Sequence, residues 1–153
     1  MRKSLVLVAI LAGFMLLAPV TGVAQSAAKS GPDTSTVRDP EIEKDSLHNL
    51  DVARQYFKQK KAYIASLQRL EEILAGNPNF SKIDEVLYLA GESSARLAER
   101  HGKQSTKTSP EQLKIDARNY FSKVVSDFPN STFRKASEDA LKELGTPAVS
   151  PQK

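Results

Sequence analysis

The 153-residue chain contains no cysteine. That absence excludes a disulfide framework, a thiolate nucleophile, a cysteine-type zinc site and an N-terminal cysteine able to carry a lipid. Also missing are a phosphate-cradling glycine loop and the Gly-x-Ser-x-Gly and His-Glu-x-x-His patterns of hydrolases and zinc peptidases. Only two histidines occur, His48 and His101. They fall at opposite ends of different helical segments and read as solvent-facing, because a metal site needs several converging donors. The acidic pairs Glu71-Glu72, Asp84-Glu85 and Glu138-Asp139 are adjacent in sequence. Neighbouring helical positions point about 100° apart, so none forms a catalytic dyad. No cofactor and no metal are expected.

Strong charge of one sign is lacking too. Lys and Arg number 22 against 18 Asp and Glu, a net charge of +4. Arg2 and Lys3 belong to a leader, and without them the balance is too even for a nucleic-acid partner. That leader has three parts: the two basic residues, the apolar run Leu5 to Ala18, then Pro19 and small residues to Gly22-Val23-Ala24. This is the build of a secretory signal, residues 1–24, with cleavage after Ala24. The alternative is an uncleaved anchor, since the apolar stretch nearly spans a bilayer when Val20 to Ala24 are counted. Either way the functional part is exported, to the periplasm or beyond.

Residues 25–38 are small, polar and turn-forming, and carry too few apolar atoms to offset the entropy of ordering. They read as a linker. The tail, residues 146–153 with Pro147 and Pro151, reads the same way. Between them, residues 39–145 repeat apolar side chains every three or four positions with no alternating run, which predicts an all-α domain. The 40% hydrophobic content of the whole chain supports one core.

Punctuation divides that domain into five helices. The first opens at Asp39-Pro40 and carries Leu50, Ala53 and Phe57 on one face. A tight turn near Lys61-Ala62 leads to the second, with Tyr63, Leu67, Leu70 and Leu74, stopped by Gly76-Asn77-Pro78. The third is expected from Ser81, through Ile83, Leu87, Ala90, Ser94 and Leu97, to a stop at Gly102. Ser109-Pro110-Glu111-Gln112 reads as a capping box opening the fourth, whose stripe is Leu113, Ala117, Phe121, Val124 and Phe128. The fifth runs from about Thr132 to Leu144, capped by Gly145, and Asn130-Ser131-Thr132, which would be a glycosylation sequon in a eukaryotic secretory route, reads by preference as its N-terminal cap. Gly91 falls inside the third helix, where it costs about 1 kcal/mol relative to alanine, so a close helix approach is expected there.

The helices form a repeat. Pro78-Asn79 through Leu87, Ala90 and Gly91 recurs as Pro129-Asn130 through Leu141, Leu144 and Gly145. The two prolines are 51 residues apart, so a 34-residue unit requires an insertion of about 17, most of it the polar stretch Arg100 to Ser109. Leu50, Ala53, Phe57, Tyr63, Ser66, Leu70, Ile73 and Pro78, followed by Leu87, Ala90, Gly91, Leu97, Ala117, Phe121, Val124 and Pro129, resemble the tetratricopeptide repeat. Arg54 and Ser94 depart from it. With the leader and the runs Tyr-x-x-Ser-Leu-x-x-Leu-x-x-Ile-Leu-x-x-x-Pro and Tyr-Phe-Ser-Lys-Val-Val-Ser-Asp-Phe-Pro-Asn-Ser, residues 45 to 145 are similar to the BamD-like family of outer-membrane assembly lipoproteins and related periplasmic repeat proteins. Members with the lipid anchor through a cysteine and have about five repeats; this chain has two units and a lid helix, and no cysteine.

The resemblance implies a non-catalytic scaffold for other envelope proteins or peptides, associated with the outer membrane but not as a lipoprotein. An accessory of cell-wall synthesis or division uses the same repeat; an envelope enzyme is the reading from another class. In such stacks the first helix of each unit lines the peptide groove, which places His48, Asp51, Gln55 and Lys58 beside Tyr88, Glu92 and Arg96 as partner-binding residues. The basic residues Arg96, Arg100, His101, Lys103 and Lys107 mark either a solvated excursion or a peripheral membrane or acidic-partner contact. Lys58, Lys60 and Lys61 suit the dipole at the end of the first helix. The fifth helix, with Phe133, Ala136, Ala140 and Leu141 opposite Glu138, Asp139, Lys142 and Glu143, suits a lid.

Overall fold

The computed structural model describes residues 38–102 and 104–145; the leader, most of the linker, Lys103 and the tail lie outside the described residues. Five α-helices follow one another: α1 Pro40–Gln55, α2 Tyr63–Gly76, α3 Ile83–Ala98, α4 Pro110–Asp127 and α5 Arg134–Leu144. No strand occurs among the described residues. Helices α1 and α2 form one hairpin, α3 and α4 a second, and α5 packs on α4. This is the all-α stack that the sequence pattern predicts.

Local chemistry sets most of the boundaries. The Asp39 side chain accepts from the Glu41 N–H at 2.9 Å, with Pro40 in the first turn of α1 where its missing N–H costs nothing. Ser109 does the same for α4 through the Gln112 N–H at 3.2 Å. Only that half of the capping box forms, because the Gln112 side chain donates to Asp116 at 2.9 Å instead of turning back.

Four boundaries differ from the sequence expectation. Helix α1 ends in a π-helical turn, Tyr56–Lys60, closed by Lys61 in the left-handed conformation at φ 49°. Helix α3 begins at Ile83 and not Ser81, because the Ser81 N–H is taken by the Glu43 carboxylate at 3.2 Å. It also stops at Ala98, well before Gly102. Arg100 takes the left-handed position, while the His101 N–H reaches the Arg96 carbonyl (2.8 Å) and the Arg100 N–H that of Leu97 (3.0 Å), the paired bonds of a Schellman motif. Gly102 has another task. At φ 91° it lies against the α1–α2 turn so closely that a Cβ would come within 2.8 Å of the Lys61 carbonyl oxygen. The polar insertion is therefore pinned to the first hairpin at this point. Finally α5 starts at Arg134, two residues late, with Ser131 accepting from the Phe133 N–H at 3.1 Å.

Helix α3 is the centre of the molecule. Val86, Leu87, Leu89, Ala90, Gly91, Ser93, Ser94, Leu97 and Ala98 are all buried, so neighbours cover it on both flanks. Its small residues permit that. On one flank Leu89 and Ala90 join Leu50, Ala53, Leu70, Ile73 and Phe80 in the main core. A hydrogen-bond relay crosses the same interface: Ser93 donates to Ser66 (3.4 Å), and Ser66 to the Ala53 carbonyl (3.0 Å). On the other flank the fully buried Phe121 of α4 seats over Gly91, where a Cβ would lie 2.7 Å from the ring. The close approach expected at Gly91 is thus present, and its partner is an aromatic face. Tyr63, Leu97, Ala98 and Leu113 form a second cluster beneath the insertion.

Helix α5 covers α4 incompletely. Ser137 is its one fully buried residue, and its hydroxyl, like that of Ser94, meets no hydrogen-bond partner. Phe133, Ala136, Ala140 and Leu141 are half-buried, as are Glu138 and Asp139 on the supposed outer side. It is a lid with its own far flank still open.

Candidate functional site

The first helices of the units, α1, α3 and α5, are tied side to side by specific contacts. Between α1 and α3, Arg54 makes a bidentate pair with Glu85, Nε to Oε1 at 2.7 Å and the outer nitrogen to Oε2 at 2.6 Å. Arg54 also pairs with Asp51 on its own helix. These side chains are largely shielded, 27% and 17% exposed for Arg54 and Glu85, and the Glu85 hydrogen bonds hold the guanidinium pKa above its ordinary value. Between α3 and α5, Tyr88 stacks on Phe133 with centroids 5.0 Å apart and planes 21° from parallel. Ser131, at the entry to α5, donates to Asp84 of α3 at 2.6 Å.

The seven residues expected to bind a partner fall along this surface. His48, Asp51 and Gln55 are exposed on the side of α1 away from the buried Ser46, Leu50 and Ala53, and Lys58 is exposed in the π-helical turn that follows. Tyr88 and Glu92 are half-buried and Arg96 exposed on α3, at one-turn spacing on the strip its neighbours leave uncovered. Asp51 is already engaged by Arg54, and Glu92 by Arg96 at 3.5 Å. Sequence reasoning did not single out Leu47, 37% exposed on the Arg54 flank of α1, because its spacing to Leu50 imitates a core position. Nor could it pair Tyr88 with Phe133, which are 45 residues apart.

Glu92 has the least comfortable charge in this strip. Burial pushes its carboxyl above the ordinary 4.5, Arg96 opposes the rise, and Glu143 of α5 and Glu99 add to it. Above 4.5 the unfolded chain has released a proton that the folded chain still holds, so stability falls as pH rises through that window. Glu92→Gln is therefore expected to be more stable than wild type at pH 7, by a few degrees in melting temperature, with the gain vanishing below pH 4.5. Thermal melts at both values check this; a loss at pH 7 would show that the Arg96 pair outweighs burial.

The acidic pairs each split between partners. Glu72 meets Arg69 (2.6 Å), and Glu71 accepts from the Tyr120 hydroxyl (3.4 Å), whose pKa burial and that carboxylate push up to about 12. Asp84 and Glu85 diverge to Ser131 and Arg54, and Glu138 and Asp139 to Arg134 and to Lys135 and Lys142. Among the described residues no group of three or more His, Asp or Glu is placed to hold a metal. Of the basic cluster, Arg96 and His101 carry acid partners, His101 to Glu99 at 3.2 Å; Arg100 and Lys107 are exposed. Lys60 lies 4.9 Å over the Tyr56 ring. The repeated turns Pro78-Asn79 and Pro129-Asn130 come together as two walls of an open cleft of about 790 Å³, with Asp84 and Asp127 inside it.

Two helical hairpins and a further first-type helix, joined through their first helices, define a tetratricopeptide-type repeat protein, a class that works by presenting surfaces to other proteins. The chain belongs to the YfiO family, described as an outer membrane lipoprotein, whose model matches residues 38–146. It is thus a BamD-like repeat protein, and membership suggests a protein-interaction role at the outer membrane. No curated protein and no solved structure matches it. No helix among the described residues is long and apolar enough to cross a membrane.

Proposed function

We propose that this chain is a non-catalytic scaffold of the bacterial cell envelope that receives a segment of another envelope protein along the α1–α3–α5 surface, in the service of outer-membrane protein assembly. The observation that carries the proposal is the way Arg54–Glu85 and Tyr88–Phe133 fix three first helices into one continuous strip. That strip leaves Leu47, Tyr88 and the half-buried Glu92 accessible to a visitor. Apolar and aromatic side chains beside unevenly compensated charge suit recognition of a peptide segment and offer no reacting group. The leader-like build of residues 1–24 supports export.

Photo-crosslinking in intact cells tests the proposal. A photoreactive residue at Gln55 or Arg96 is expected to yield a discrete adduct with an envelope protein, whereas one at Gln68 or Lys123, on the second helices, yields none. Adducts confined to the second helices would overturn the choice of face, and their absence everywhere would overturn the scaffold.

A further inference from the structure

Among the described residues, both ends of the stack present uncovered side chains, and the two ends differ in charge. At the C-terminal end Ile115, Arg118, Ser122, Leu141 and Lys142 line a cleft of about 520 Å³ between α4 and α5 that contains no acid. Ile115 is 41% exposed there. Arg118 donates to the Gly145 carbonyl (2.9 Å) and the Leu144 carbonyl, neutral partners that leave its charge uncancelled. Lys142 shares one carboxylate, Asp139, with Lys135, both at 3.1 Å. This is the place where a second helix of a third unit would pack, and repeat arrays ordinarily finish with a polar outer face.

The N-terminal end is the complement. Along α1, Ile42, Asp45, Asn49, Val52 and Tyr56 recur at spacings of three and four, which puts them on the flank opposite the Arg54 side that meets α3. Ile42 is 45% exposed, and Glu41 and Asp45 are exposed beside it. Lys44 stands 4.0 Å from Glu41 in an exposed pair that contributes little, and Lys60 lies over the Tyr56 ring at the other end of the flank.

We propose that the occupant of the cleft is the α1 edge of a second copy of this chain. Ile42 meets Ile115 and Leu141, and Glu41 and Asp45 meet Arg118 and Lys142. The two surfaces are different, so the contact is head-to-tail, and copies add to one another without closing into a twofold dimer. Residues 146–153, next in sequence after Gly145, carry no acidic side chain, one lysine and two prolines, a poor match to a basic, helix-shaped gap. This contact stands apart from the α1–α3–α5 surface.

Analytical ultracentrifugation of the chain purified from the envelope, over a range of concentrations, tests it. The wild type is expected to grow from monomer to dimer and longer species. Asp45→Lys on one edge, and Ile115→Lys or the more exposed Lys142→Glu on the other, are each expected to weaken that growth about tenfold or more. Their melting temperatures should stay near wild type. Mixing Asp45→Lys with Ile115→Lys should restore one intact contact per pair and stop at a dimer, a result that a symmetric interface cannot give. A wild type that stays monomeric up to about 1 mM would overturn the proposal. So would association untouched by any of these substitutions, or association that appears only when residues 146–153 are removed, which would make the tail the occupant.

Discussion

Gly91→Ala is expected to destabilise the domain by about 1–2 kcal/mol, even though alanine is the better helix former by about 1 kcal/mol. The added Cβ would lie 2.7–2.9 Å from three atoms of the Phe121 ring. Phe121 is fully buried and also lies 6.0 Å, centroid to centroid, from Tyr88, so it has nowhere to retreat. Overpacking of this kind costs about 1–3 kcal/mol, which outweighs the gain in propensity. Thermal melts should show a fall of about 5–10 °C. The informative control is Phe121→Leu. That change itself costs stability, but in its background Gly91→Ala should become neutral or stabilising, because the ring atoms that meet the new methyl are gone. If alanine at 91 raises the melting temperature of the wild type, the ring has slack and the close approach is not what retains the glycine.

Arg54→Ala should cost about 2 kcal/mol, several times the worth of an exposed ion pair. Its two hydrogen bonds to Glu85 are short, parallel and shielded, and they join residues 31 positions apart. Removing the arginine leaves the Glu85 carboxylate without its bidentate partner in a mostly covered site. Glu85→Ala should cost a similar amount, and the double variant little more than either single, giving a coupling energy near the full effect in urea denaturation. Arg54→Lys should restore only part, since an ammonium cannot supply two parallel donors. Single substitutions that each cost under about 0.5 kcal/mol would make this an ordinary surface pair. Because the pair spaces α1 against α3, weaker crosslinking from Gln55 should accompany the loss.

Helix existence was legible in this chain because its signals are local. Asp39-Pro40, Gly76-Asn77-Pro78 and Ser109-Pro110 act on the backbone within one turn, so their effect survives any tertiary arrangement. Gly91 was legible as a close approach for a related reason: a glycine inside a helix needs compensation, and packing is the usual source. Boundaries set by distant partners were not. Nothing near Ser81 announces that Glu43, 38 residues away, takes its N–H. Gly102 looked like the end of α3, but its freedom at positive φ is used against the Lys61 carbonyl, and Arg100 ends the helix instead. Arg54 stood out only as a departure from the repeat. What it pairs with lies on another helix.

Spacing and punctuation, read from the sequence alone, determined that this protein is a short stack of helical hairpins and where its units repeat. Both depend on helix period and on turn chemistry, which act over a few residues. Tertiary structure alone decided how the helices are joined and which of their flanks stay uncovered among the described residues. The Arg54–Glu85 clamp, the Phe121 ring over Gly91, the Tyr88–Phe133 stack and the open basic cleft beside α5 all bring together side chains from different helices. Their meeting depends on the relative register of those helices, which is set by the packing of the whole core and by no segment of it.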